Sequence, residues 1–264
     1  MRIFACSDLH VDHQPNWKWI QDLEPGSHTE EALIVAGDIS TDLTQLTRCL
    51  QHLTGVFSHV FYCPGNHEMW LNTTEGFNTS VEKFDRILGI CAQLGVQTEA
   101  QRLDDVWVVP LFSWYDDSLI GADDVINRKV LGDCWVDYHL CKFPESVASP
   151  AKYFADRNSY AVRGDYDAPV VSFSHMMPRR DLMVPQCFLH FTDLPAVAGT
   201  HLLEEQIRTI GSQVHVFGHT HMNHVAFLDN CLYVQNSFGY PRERERTGRK
   251  PCFRPVWPLN ENAC

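Results

Sequence analysis

Five fragments of this 264-residue chain carry side chains able to hold metal ions: Asp8-Leu9-His10, Gly37-Asp38, Gly65-Asn66-His67-Glu68, Ser174-His175 and Gly218-His219-Thr220-His221. They offer carboxylate and amide oxygen and imidazole nitrogen, but no thiolate. Such a set suits Mn, Fe, Zn, Ni or Mg ions rather than a structural zinc held by sulfur. Two cations about 3.5–4 Å apart can clamp a phosphoryl group, generate hydroxide and stabilise developing charge. A pair of that kind needs a bridging carboxylate. Asp38 is placed for it, after the apolar run Leu33 to Ala36 and a glycine that lets the chain turn tightly. Taken singly, most of these fragments are ordinary loop and turn chemistry. Gly218 to His221 is the most specific, because alternate residues at a strand end can reach one site.

These residues need rigid backbone behind them. Nearly unbroken apolar runs at Arg2 to Ser7, Ala32 to Ala36, Val56 to Cys63, Val106 to Phe112, Val170 to Ser174 and Val214 to Phe217 read as strands buried on both faces. Helical patterns lie between them. Leu43, Leu46, Leu50 and Leu53 share one face, with Gly55 as the stop; Phe77 to Cys91 repeats at four-three spacing and ends near Gly95; His201 to Ile210 stops at Gly211. Asp229-Asn230 reads as a two-residue hairpin turn between Val225–Leu228 and Cys231–Gln235. Alternating strands and helices imply a layered α/β fold, and the hairpin makes its sheet mixed.

The bulk properties narrow the function. A net charge of −12 repels phosphate backbones and argues against non-specific nucleic-acid binding, although bound cations can invert the local field. No stretch is long enough to span a bilayer, and the start at Met1 shows no signal peptide, so a cytoplasmic protein with no membrane partner is expected. The ten cysteines, from Cys6 to Cys264, are dispersed without a C-x-x-C pair and read as reduced thiols. One domain over 1–264 is expected, with an insertion around 113–164 partly covering the site and a charged, Pro-rich tail from 241 wrapping the surface.

In their order, the fragments resemble the calcineurin-like metallophosphoesterase superfamily, whose pattern runs D-x-H, G-D, G-N-H-D/E, a lone H and G-H-x-H. The match runs from the first strand to the final hairpin. The resemblance implies a four-layer α/β/β/α sandwich with mixed sheets. It also implies a phosphoric ester hydrolase (phosphatase or phosphodiesterase) with two divalent metal ions, manganese first, then Fe, Zn, Ni or Mg. Asp8, His10, Asp38 and His221 would hold one metal; Asp38, Asn66, His175 and His219 the other. A hydroxide bridging them would attack, and His67 would protonate the leaving oxygen, a general-acid role.

Two departures matter. The second acid of the Ser/Thr phosphatase G-D-x-x-D-R-G motif is replaced by Thr41, with Asp42 one residue late, and Cys63-Pro64 stands where those enzymes carry Arg. A phosphoprotein phosphatase is therefore disfavoured, and the orienting partner of His67 is unassigned. The expected substrate is a small phosphomonoester or phosphodiester, nucleotide-like in one version. A nuclease on DNA or RNA and a non-catalytic scaffold are the alternatives.

For substrate contacts, Arg179, Arg180 and His224 are the candidates near the ligand loops; Arg128, Lys129 and Arg157 are further anion-binding candidates. Trp114 and Tyr115 could stack on a base or sugar or pack the insertion. Glu68 reads as an acceptor orienting a ligand or as a helix-start acid. The remaining histidines, among them His13 and His215, read as surface or core residues, and Arg242 to Arg246 as a solvated ion-pair run.

Overall fold

A computed structural model of the chain describes residues 1–259. Its strands are β1 (Arg2–Cys6), β2 (His28–Ala36), β3 (Phe57–Cys63), β4 (Gln101–Leu103), β5 (Val106–Pro110), β6 (Val170–Phe173), β7 (Ser212–Phe217), β8 (His224–Leu228), β9 (Cys231–Gln235) and β10 (Arg254–Trp257). Its α-helices are α1 (Gln14–Gln21), α2 (Leu43–Val56), α3 (Ser80–Leu94), α4 (Arg128–Cys134), α5 (Asp137–Leu140), α6 (Pro150–Arg157), α7 (Ser159–Val162), α8 (His201–Thr209) and α9 (Pro241–Thr247).

The strands form two sheets, ordered β10-β1-β2-β3 and β4-β5-β6-β7-β9-β8. Inner neighbours run parallel, while β10, β4 and β8 join antiparallel at edges, so both sheets are mixed. Period-two alternation explains why each apolar run is continuous. Ala32, Ile34 and Ala36 of β2 face inward and pack in one cluster with Val171, Phe173, Val214 and Val216 of the other sheet. Leu33 and Val35 face outward, in the cluster that holds Leu46, Leu50, Leu53, Phe84 and Ile87 of α2 and α3. With α8 against β7 of the second sheet and α6 packed on α8, the result is an α/β/β/α sandwich.

Local signals set most boundaries. The Asp42 side chain accepts from the Gln45 amide to start α2, and Thr79 does the same for α3 through Glu82. Gly95, at φ 72°, ends α3 in the left-handed conformation. The Asp229-Asn230 turn has φ of 47° and 65°, joining β8 to β9. Two expectations differ from what is found. α2 continues through Gly55 to Val56, where packing of Leu53 and Val56 outweighs the glycine's cost of about 1 kcal/mol. The α3 pattern begins at its Thr79 cap, leaving Phe77 outside the helix.

The tail departs further from the surface wrap read in the sequence. α9 lies against the ligand loops, and β10 returns to pair with β1, Ile3 opposite Trp257. Val256 and Trp257 thereby enter the core between the sheets. The nine described cysteines are free, and Cys264 lies outside the described residues. No helix among the described residues is long and apolar enough to cross a membrane. Because Trp257 is 9% exposed, Trp257→Ala should cost about 3–5 kcal/mol in denaturant unfolding. A loss below about 1 kcal/mol would return the tail to a surface wrap.

Candidate metal centre

All five fragments converge where the carboxyl ends of β1, β2, β3, β6 and β7 meet. Backbone hydrogen bonds stitch the loops together: Asp8 N to Gly37 O (2.9 Å), His10 N to Asp38 O (3.0 Å) and Gly218 N to His175 O (2.9 Å). The ligand-type atoms fall into groups, each within 4.8 Å: Asp8, His10 and His221; Asp38, His175 and His219; and His10, Asp38 and His67. Asp38 belongs to two of these groups, as a bridge would. Asn66 Oδ1 lies 3.1 Å from His175 Nε2 and 2.9 Å from His219 Nδ1.

The backbone is bent hard to achieve this. Asp8, His10, Asp38, His219 and His221 have φ of 53°, 41°, 55°, 72° and 54°. Left-handed backbone at non-glycine residues costs on the order of 1–3 kcal/mol each and persists only where the surroundings enforce it. Gly37, at φ 81°, has a second constraint: a Cβ there would sit 2.3 Å from His175 Nδ1.

The donor set fits cations. Three imidazoles each spend one nitrogen on a protein acceptor: His175 Nδ1 on Ala36 O, His219 Nε2 on Val197 O and His221 Nδ1 on Glu243 Oε2, all at 2.8 Å. That arrangement fixes the tautomer and aims the other nitrogen's lone pair into the centre. There it faces other ligand-type atoms: His175 Nε2 stands 3.3 Å from Asp38 Oδ2, His221 Nε2 3.4 Å from Asp8 Oδ1, and His10 Nε2 3.2 Å from His221 Nε2. Asp8, His10, Asp38, Asn66 and His175 are at most 3% exposed. A buried cluster of converging lone pairs is held by protons or by metal ions.

Electrostatics agree. Burial pushes the Asp8 and Asp38 carboxyls up, but neighbouring His221 and His175 outweigh it and hold both below the usual carboxylate range. Burial likewise opposes protonation of His175 and His221, yet Asp38 lifts the first to about 9, and Asp8 with Glu243 the second to about 10. His219 is pushed down to about 4 by burial and by His175.

Several supporting residues lie outside the fragments. Asp137, in α5, accepts from Asn66 Nδ2 (2.9 Å) and Trp70 Nε1 (2.6 Å), which orients the Asn66 amide with its oxygen inward. Glu68 accepts from the amides of Asp38 (3.0 Å), Ile39, Ser40 and Gly65 (2.7 Å), holding the turn that carries Asp38. Of its two readings, orientation of a ligand is the one the contacts match. Glu243 of α9 reaches His221, so this part of the Arg242–Arg246 run faces inward rather than into solvent. Asp137 and Glu243 belong to no apolar period, and nothing in their local sequence marks them as supports of the centre.

His67 lies at the edge of the centre. Its amide donates to Asp38 Oδ1 (3.0 Å), its ring packs 3.9 Å from that of Trp70, and its Nε2 is 3.9 Å from Asp38 Oδ2. A cavity of about 820 Å³ opens here, lined by His10, Asp12, His13, His67, Trp70, Tyr240 and Arg242 among others. The candidate substrate contacts lie elsewhere. Arg179 is held by Asp181, Glu204 and Asp229, and Arg180 by Asp124; both line a different cavity. His224 is exposed at the start of β8. Arg128 pairs with Asp117 and Arg157 with Asp85. Trp114 and Tyr115 are buried, and Tyr115 stacks on His219 at 6.3 Å.

The fold and the donor set define a metal-dependent hydrolase of phosphate esters. A profile of the calcineurin-like phosphoesterases matches residues 1–223, and the chain belongs to that family; it is a phosphoric ester hydrolase. It is 26% identical to the [acyl-carrier-protein] phosphodiesterase PptH of Mycobacterium tuberculosis, over 94% of this chain and 80% of that protein. The crystal structure of the phosphopantetheinyl hydrolase PptH from Mycobacterium tuberculosis matches with a TM-score of 0.82 at 24% identity, covering 100% of this chain and 98% of that one. The α/β/β/α sandwich is thus a shared fold.

One consequence is measurable. Protons on His175 and His221 compete with cations, so metal affinity should rise with pH until about 10. Below that, it should fall by up to about tenfold per pH unit for each proton displaced. Calorimetric Mn²⁺ titrations from pH 6 to 9 test this; a flat profile would contradict it.

Proposed function

We propose that this chain is a phosphodiesterase that cleaves the phosphodiester linking a phosphopantetheine-type arm to a carrier protein. The observation that carries the reading is the likeness to the carrier-protein phosphodiesterase along 94% of the chain. The cavity beside His67 supports it. Its walls include the apolar surfaces of Pro15, Trp70, Tyr240 and Pro241, and among the described residues Arg242 is the one lysine or arginine lining it. A diester carries one negative charge where a monoester carries nearly two, so a weakly cationic, partly apolar cavity favours the diester. The net charge of −12 disfavours a nucleic-acid backbone as substrate.

In this reading Asp8, His10, Asp38 and His221 hold one divalent cation, and Asp38, Asn66, His175 and His219 a second, with Mn²⁺ the first metal to test. Bound there, the cations supply positive charge to the phosphoryl oxygens and make water a competent nucleophile at neutral pH. The chain's own residues do the rest. Asp38 serves both sides of the centre and, through Oδ1, fixes the backbone of His67. Trp70, anchored to Asp137, packs the His67 ring and limits its rotation. Hydrolysis breaks one P–O bond and joins the oxygen of water to phosphorus, so the departing alkoxide needs a proton. His67 Nε2 delivers it and regains one from the attacking water by way of solvent.

His67→Ala should lower turnover of a holo carrier protein by about 10²–10⁴ while metal content stays at the wild-type level. Mass spectrometry of the carrier protein, read for loss of the phosphopantetheine mass, supplies the activity. Loss of metal on that substitution would move His67 into the ligand set. Failure of the wild type on the carrier protein, with turnover of bis(p-nitrophenyl) phosphate, would keep the diesterase and discard the carrier.

A further inference from the structure

The family profile ends at residue 223, yet the segment Phe238 to Glu243 is built into the centre. Gly239 N donates to Asp8 O (3.0 Å), and the Gly239 carbonyl accepts from Asn16 Nδ2 (3.0 Å) and Arg244 Nη1 (2.9 Å). Gly239 takes φ of 62°, and a Cβ there would fall 2.6 Å from Glu243 Oε2 and 3.3 Å from His221 Nδ1. Only glycine lets the chain pass so close. The next residue is Tyr240, whose amide donates to Glu243 Oε2 (2.8 Å), the same oxygen that takes the His221 hydrogen bond. Its ring lies 4.6 Å from the His10 ring and 5.0 Å from that of His221. Backbone and ring are therefore fixed by the centre itself.

The hydroxyl is not used in that fixing. Among the described hydrogen bonds it reaches one atom, His67 Nε2, at the long limit of 3.5 Å. Two groups at that separation bond each other poorly, but both can reach a third atom about 2.8 Å from each. Both line the same cavity. Tyr240 thus brings a polar group to His67 from the tail.

We infer that Tyr240 is a further catalytic residue, its hydroxyl donating a hydrogen bond to the leaving-group oxygen beside His67. This rests on the phosphoesterase reading above. As the P–O bond breaks, the leaving oxygen takes its proton from His67 Nε2. Tyr240 keeps its own proton and stabilises the charge that builds on that oxygen. The attacking water restores the His67 proton through solvent, so protons balance without any other reactant.

Tyr240→Phe keeps the ring and removes only the oxygen. With Mn²⁺, kcat for a diester with an alkyl leaving group should fall about 10²-fold, the usual loss for one hydrogen-bond donor at a developing oxyanion. With p-nitrophenyl esters, whose leaving oxygen needs little help, the loss should be several-fold smaller. KM, metal content and melting temperature should match the wild type. Equal losses on both substrates, or a fall in metal content, would make Tyr240 a structural residue, and an unchanged kcat on the alkyl ester would also overturn the inference. A wild type inert on both esters would instead defeat the phosphoesterase reading itself, and this role with it.

Discussion

Two buried carboxylates and four imidazoles crowd their lone pairs into one small space, and this constraint organises the molecule. Asp8 accepts from Ser7 Oγ and the His219 amide, and Asp38 from the His67 amide. Their remaining neighbours are imidazoles, His221 at 3.4 Å from Asp8 and His175 at 3.3 Å from Asp38. Divalent ions held by these residues would take the place of protons between them. Until then the fold must hold an arrangement that its own electrostatics resist, along with left-handed backbone at five ligand-type residues. A strained, pre-formed centre is one in which little reorganisation remains when a phosphate ester binds.

The sandwich meets that demand by division of labour. One sheet presents Asp8, His10, Asp38, Asn66 and His67 on the loops after β1, β2 and β3. The other presents His175, His219 and His221 after β6 and β7. The apolar layer between them, from Ile34 to Phe173, fixes the two sets of loops relative to each other. Outer contacts then set each side chain: Ala36 and Val197 carbonyls for two histidines, Glu243 for a third, Asp137 for Asn66, and Glu68 for the Asp38 turn. Each works by consuming the hydrogen-bonding group that would otherwise let its partner rotate.

Much of this was legible in the sequence. The strands announced themselves because burial on both faces demands continuous apolar runs, and the ligand fragments because they follow those runs. The Asp229-Asn230 turn was legible because few residue pairs accept two positive φ values. Asp137, Tyr240 and Glu243 were not. Each acts across 22 to 173 residues of chain on one particular atom, and a single hydrogen bond imposes no periodicity. The tail misled for the same reason. An Arg/Glu alternation looks solvated until one of its acids is seen facing a histidine, and β10 carries an arginine and a proline in place of a continuous apolar run. Arg179 and Arg180 are near His175 in sequence, but Asp181, Glu204, Asp229 and Asp124 claim them first.

Everything turns on cations occupying both halves of the centre with Asp38 between them. Anomalous diffraction from crystals of the Mn²⁺-loaded protein reads this directly. Two peaks are expected about 3.5–4 Å apart, one beside Asp8 and His221 and the other beside Asn66 and His175, with Asp38 reaching both. A single peak, or a pair that leaves Asp38 uncoordinated, would contradict the account.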